Sequence, residues 1–352
     1  MFGAFRRVLL PIDGLPGIAR TPRIITREDE IRTSGVRSRP TSAVPERTEA
    51  RPETPAAPFE PLAPGAAPPL PTVRPVERAF TQVDVFTTTP YAGNPVAVVL
   101  DGTGLSSEEM QRFANWTNLS ETTFVLPPTA AEADYLVRIF TPVLELPFAG
   151  HPTLGTCHAW LTVGGRTPKQ PDVVVQECAA GLIEVRQLEH GLAFAAPPLR
   201  RSGPVDEEQV ARIAAAFGVE RAEILDAEWA DNGPPWIALL FADSDAVLAL
   251  KPTFIDLDIG VVGPRPDGSQ EAFEVRAFFP KDGALVEDPV TGSFNASLAQ
   301  WLLRTGRARA PYVARQGTAL GRSGRVHIST DAGGAVWVGG GTIACITGKV
   351  EL

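Results

Sequence analysis

The sequence predicts an α+β protein built from two pseudo-symmetric domains, each a sheet wrapped around one central helix. The first observation is an internal repeat. Arg138-Ile-Phe-Thr-Pro142, then Glu145, then Gly150-His151 recurs as Arg276-Ala-Phe-Phe-Pro280, then Glu287, then Gly292-Ser293. Unlike residues recurring in a fixed order mark a duplication, and a separation of more than a hundred residues is a domain length, too long for a solenoid unit. The second observation is that Pro152–Val163 and Phe294–Leu303 contain no charged residue, so each reads as a helix buried on every side. The third is an irregular alternation of strands with single helices, without the regular βα period of a doubly wound sheet.

Three ranges follow along the 352 residues. Residues 1–77 hold 14 of the 34 prolines, almost no aromatics and no amphipathic period, and read as a disordered Pro/Arg-rich extension. Its start lacks the apolar stretch and small-residue cleavage site of a signal peptide. Residues 78–198 read as the first half of the fold and 199–344 as the second, with the C-terminal strand 345–352 available to return to the first.

Within the first half, Phe80–Phe86 alternates as a strand, Thr89–Pro95 is a turn-rich loop and Pro95–Leu100 is a second strand. Ser106-Ser-Glu-Glu109 offers a capping box to a helix ending near Thr117. Strands near Thr122–Leu126 and Tyr135–Phe140 precede the first buried helix. In the second half, Val205–Phe217 is an amphipathic helix, and Pro235–Phe241 and Ala272–Phe279 are strand-like. The second buried helix follows Ser293, then short strands around Val326–Ile328, Ala335–Val338 and Ile343–Ile346.

Composition narrows the function classes. The net charge of −9 divides into +2 for residues 1–77 and −11 for the rest, a body poorly suited to nucleic acid. No apolar run is long enough to cross a bilayer as a helix, so no membrane span is expected. Cys157, Cys178 and Cys345 are too scattered for a disulfide framework or a zinc site, and a reducing cytoplasm is the simplest compartment.

The repeated motif carries the candidate site. Pro152 suits a first helical position, which makes His151 the cap of one buried helix, and Ser293 is a good cap for the other. Gly150 and Gly292 allow close approach to the backbone. Helix starts present free N–H groups and a positive dipole end, so two facing one cleft would hold a carboxylate. Glu121 lies between a helix end and a strand, where it is either a solvated loop acid or a base facing the cleft. His151 either orients substrate or caps its helix, and Asp288 is either a ligand-facing carboxylate or structural. Arg138 and Arg276 read as scaffold partners of Glu145 and Glu287. His158 reads as a core or domain-contact residue, and His190 and His327 have no partner in sequence.

Several of these segments together carry a family resemblance. Ala92-Gly-Asn-Pro-Val-Ala97, Asn118-Leu-Ser-Glu-Thr-Thr-Phe-Val125, Gly150-His-Pro-Thr-Leu-Gly155, Glu287-Asp-Pro-Val-Thr-Gly-Ser293 and Gln316-Gly-Thr-Ala-Leu-Gly-Arg-Ser-Gly-Arg325 resemble the PhzF (phenazine biosynthesis protein) family, in order, from about residue 79 onward. The resemblance implies the diaminopimelate-epimerase-like fold and a cofactor-independent isomerase, usually a homodimer, acting on a small cyclic or unsaturated amino carboxylate. It implies Glu121 as the proton-shuttling acid and base, with His151, Asp288 and Ser293 holding substrate. Related epimerases carry a cysteine just before each helix-start glycine. Here those positions are Ala149 and Thr291, so two-base chemistry through thiols is not expected. An epimerase using carboxylates or histidine, and a non-catalytic carboxylate-binding protein, are the alternatives.

Overall fold

Strand β1 (Glu77–Val85) opens the described part of the chain, which in this computed structural model is residues 76–352. The extension read at 1–77 lies outside the described residues except for Val76 and Glu77. Val76 exchanges backbone hydrogen bonds with Leu352 in both directions, and Glu77 is already part of the strand.

The first half continues through β2 (Asn94–Val99), α1 (Ser107–Thr117), β3 (Glu121–Leu126), β4 (Tyr135–Phe140), β5 (Glu145–Leu146), α2 (Gly150–Thr162), β6 (Val173–Cys178), β7 (Gly181–Leu188) and β8 (Gly191–Ala195). The second runs through β9 (Arg201–Pro204), α3 (Glu207–Phe217), β10 (Asp226–Asp231), β11 (Pro235–Leu240), α4 (Ser244–Ala249), β12 (Ile259–Pro264), β13 (Phe273–Lys281), β14 (Ala284–Asp288), α5 (Gly292–Arg304), β15 (Tyr312–Gln316), β16 (Gly324–Thr330) and β17 (Val336–Gly340). Strand β18 (Thr342–Glu351) then runs antiparallel to β1 along its whole length.

Pairing shows the duplication more fully than sequence does. In the first half β1–β2 is antiparallel, β2–β3 parallel, β3–β4 antiparallel, β4–β6 parallel, and β6–β7–β8 antiparallel. In the second, β10–β11 is antiparallel, β11–β12 parallel, β12–β13 antiparallel, β13–β15 parallel, and β15–β16–β17 antiparallel. A parallel pair needs a crossover. The crossovers are α1 and α2 in one half and α4 and α5 in the other. Strand β18 on β1 matches β9 on β10, and a β8–β17 pair joins the halves.

Helix α2 has no charged residue, and ten of its thirteen residues are buried. Helix α5 carries only its terminal Arg304 and buries nine of thirteen. All the strands form one continuous sheet, and the inward faces of its two halves pack on these helices in a hydrophobic core that includes Val96, Leu154, Phe194, Phe294 and Trp301. A second core, with Ile213, Phe217 and Val247, lies between the other face of the second half's strands and α3 and α4. A smaller one, with Met110, Phe124 and Phe140, lies under α1. Helix α1 has the anticipated capping box from Ser106 and Glu109, and ends on Asn118 in the left-handed region at φ 54°.

The two arginines of the repeat play matched parts. Arg138 makes a bidentate pair with Glu145 and donates to the Ser107 hydroxyl at the start of α1. Arg276 makes the same pair with Glu287 and donates to the Val247 and Leu250 carbonyls at the end of α4. Each ties a strand to the helix that crosses its sheet, which is the scaffold role read from sequence.

Among the described residues no helix is long and apolar enough to cross a membrane.

Candidate active site

The starts of α2 and α5 abut. A Cβ built on Gly292 would lie 3.4 Å from the His151 backbone nitrogen and 3.6 Å from the Gly150 carbonyl carbon. The caps differ from the sequence reading. Helix α2 begins at Gly150 with Ala149 as its cap, and α5 at Gly292 with Thr291 as its cap, so His151 and Ser293 are second helical residues. The reason is that the extended backbone persists only through Ala149 and Thr291, and the glycines already enter the helix. Neither cap makes a side-chain hydrogen bond to its helix, unlike Ser106 of α1. Both starts therefore keep the anion-attracting character of uncapped N–H groups.

The glycines have a packing reason of their own. A Cβ on Gly150 would sit 2.6 Å from the tip of the Phe194 ring, and one on Gly292 would sit 3.3 Å from Phe86.

Around this junction the chain gathers Glu121, His151 and Asp288 from three separate elements. Glu121 is the first residue of β3, in register with Val96 of the parallel β2. Its Oε2 lies 3.2 Å from His151 Nε2. The two atoms are close but not aligned as a hydrogen bond, and among the described residues both are buried without a partner. Two unpartnered polar atoms side by side in a protein interior call for a functional reason.

Asp288, the last residue of β14, is bonded through both oxygens. Asn94 Nδ2 donates to Oδ1 at 3.1 Å and the Thr291 hydroxyl donates to Oδ2 at 2.6 Å. Asn94 also donates to the Val290 carbonyl at 2.8 Å, which commits both of its amide hydrogens. Its 3.5 Å approach to His151 Nδ1 is therefore a contact.

These environments pull the three groups apart in charge. Burial, then the neighbouring Asp288 charge, raises the Glu121 carboxyl to about 8. Burial raises Asp288 to about 6, opposed by its bonds from Thr291 and Asn94. Burial lowers His151 to about 3, opposed by a bond with the Pro95 carbonyl. The directions of these shifts favour a protonated Glu121, a neutral His151 and an anionic Asp288 near neutral pH. Titratable neighbours separated in this way are the arrangement proton transfer needs.

Ser293 sits beside them, its hydroxyl accepting from the Trp236 indole at 3.1 Å and its carbonyl accepting from Asn232 at 2.8 Å. The structure thus brings together all six candidate residues: Glu121, His151, Asp288, Gly150, Gly292 and Ser293.

Sequence reasoning missed the residues that support them. Asn94 and Gln316 lie inside motifs already singled out but received no role, and a buried amide in such a motif was the available signal. Asn232 and Trp236 carried none, because nothing in the sequence brings the β10–β11 hairpin to the start of α5. His158 is partly buried and hydrogen-bonds Thr342 of β18 at 2.9 Å. His190 and His327, which sequence left unpaired, stack on each other at 4.6 Å, a pairing made by the fold alone.

Comparison with known proteins agrees with this architecture. The model of a family described as phenazine biosynthesis-like protein matches residues 83–348. A trans-2,3-dihydro-3-hydroxyanthranilate isomerase of Pseudomonas aeruginosa is 34% identical over 289 residues, spanning 78% of this chain and 99% of that one. Antisense-enhancing sequence 1 of Schizosaccharomyces pombe is 36% identical over 295 residues, spanning 78% and 98%. Among solved structures, a PhzF-family protein of Enterococcus faecalis superposes with a TM-score of 0.64 at 26% identity, covering 79% of this chain and all of that one. One of Bacillus anthracis reaches 0.67 at 22% identity with the same coverage and supports the fold. With its duplicated α+β halves and a family match over most of its length, the chain belongs to the PhzF family and is an isomerase.

Proposed function

We propose that this isomerase moves a proton between two carbons of a small cyclic or unsaturated amino carboxylate, with Glu121 as the single acid and base. The reaction would take place in a cleft between the halves at 78–198 and 199–344. The observation that carries the reading is the Glu121–His151 pair, two buried and unpartnered polar atoms 3.2 Å apart beside two uncapped helix starts.

The chemistry follows from the charges. The ionised fraction of Glu121 takes a proton from a carbon next to the conjugated system of the substrate. The electron pair of that C–H bond shifts along the conjugated system, and the negative charge it carries is stabilised by the N–H groups of α2 and α5. Glu121, now protonated, returns the proton to a second carbon on the same face. Its pKa of about 8 lets it act as base and then as acid near neutral pH. Asp288 remains an anion and accepts from a donor group of the substrate, while Ser293 and neutral His151 hold it in place. Ala149 and Thr291 offer no thiol before either helix start, which favours one base over two.

The relatives named trans-2,3-dihydro-3-hydroxyanthranilate isomerases make that compound the first to try. The test offers it, alongside cyclic and acyclic amino carboxylates, to the enzyme in D2O and follows the products by proton NMR and optical rotation. A shifted double bond in one of them is the expected outcome. Loss of optical rotation without a shifted double bond would replace the proposal with an epimerase.

A further inference from the structure

We propose that Thr291 is a positioning residue for this reaction: oriented by Gln316, its hydroxyl donates to Asp288 and, together with Asn94, holds that carboxylate as an anion in one orientation. The inference rests on the role proposed above for Asp288.

Thr291 occupies the cap position of α5, where a threonine ordinarily turns its oxygen to its own helix. Here it makes no such bond, and its hydroxyl faces Asp288 Oδ2 at 2.6 Å. The direction of that proton is fixed from behind. Gln316, fully buried, donates through Nε2 to the Thr291 hydroxyl at 2.9 Å and to the Asp288 carbonyl at 3.1 Å. Its Oε1 accepts from the Thr291 backbone at 3.0 Å and from Asn295 at 2.8 Å, which fixes which way the amide faces. A hydroxyl that already accepts from Gln316 has its one proton free for Asp288.

The result is a chain from Gln316 to Thr291 to Asp288 Oδ2, with Asn94 closing on Oδ1. The charged and titratable groups around Asp288 are Glu287 on its own strand, already paired with Arg276, and Glu121 and His151 from the first half. Among the described residues no cation pairs with Asp288, so neutral donors alone support its charge. A stability role would be met by capping the helix; giving up the cap for the carboxylate points to the reaction.

The test is carbon NMR of protein labelled at the aspartate carboxyls, the Asp288 signal being the one lost in Asp288→Asn. In Thr291→Val its titration midpoint should rise by about one to two pH units, the equivalent of one charge-assisted hydrogen bond. Thr291→Ser keeps the hydroxyl and should titrate as wild type. Thr291→Ala replaces Thr291→Val if the valine does not fold. On a substrate that the wild type turns over, Thr291→Val should lower kcat/KM about tenfold or more, and should lower it no further in an Asp288→Asn background. An unmoved midpoint in both the Val and Ala variants overturns the proposal. The titration needs no turnover, so a wrong substrate assignment leaves this result readable.

Discussion

At the scale of single residues, the division of labour between Glu121 and Asp288 comes from hydrogen bonding more than from burial, which both share. Asp288 receives a donor on each oxygen, whereas Glu121 Oε2 has no partner and faces the Asp288 charge. In the proposed reaction Glu121 must be ionised to accept a proton from carbon. The kcat/KM of the enzyme should therefore rise with pH, about tenfold per unit, and level off above about 8. A profile flat between pH 6 and 9 would assign the base elsewhere. The sequence singled out Glu121, His151, Asp288 and Ser293 as candidates because each lies within a distinctive motif. It gave no role to Asn94 or Gln316, whose importance lies in which partners their amides reach across the fold, and a motif does not state that.

At the scale of elements, the two halves use one design with different burial. The Arg138–Glu145 pair is partly exposed, with side chains 25% and 37% accessible, while Arg276 and Glu287 are 7% and 10% accessible. Arg276→Met leaves Glu287 buried without its partner and should destabilise by roughly 3–5 kcal/mol. Arg138→Met should cost about 1 kcal/mol or less. Chemical denaturation of both variants measures the difference, and equal losses would refute the burial argument. Gly150→Ala must displace the Phe194 ring at the core, with an expected loss of about 1–3 kcal/mol in the same assay. The buried helices were legible in sequence because runs of 12 and 10 residues without a charge admit few other readings. Their caps were misread because proline and serine are favoured near a helix start, and only the backbone shows that the preceding residue is still extended. Strands such as β7, β9 and β15 escaped notice. They are short or carry polar residues on both faces, and their identity depends on the neighbours they pair with.

At the scale of the molecule, the role proposed for Glu121 is set against stability. Glu121 is about 8 in the folded protein against 4.5 for the free side chain. Between those values the unfolded chain has released the proton and the folded chain still holds it, so stability falls as pH rises, by about 1.4 kcal/mol per pH unit at most. Glu121→Gln removes that term. Its stability should match the wild type near pH 4.5 and exceed it increasingly up to pH 8, as read from paired urea unfolding curves. A constant gap across that range would mean that Glu121 is not held protonated. The duplication was visible in sequence as one repeated motif. The return of the C-terminal strand to the first half was anticipated, but its pairing with β1 and the matched pairing of the other strands required the fold, since no local pattern states which strands adjoin.

In the proposed reaction one carboxylate carries the proton. The most direct measurement compares wild type and Glu121→Gln on the first turned-over substrate, by NMR in D2O, recording both product formation and deuterium at each carbon. Glu121→Gln should retain its fold and ligand binding while losing turnover by at least about a hundredfold, with no deuterium at either carbon. Isomerisation by the Gln variant at a rate near the wild type would contradict the claim.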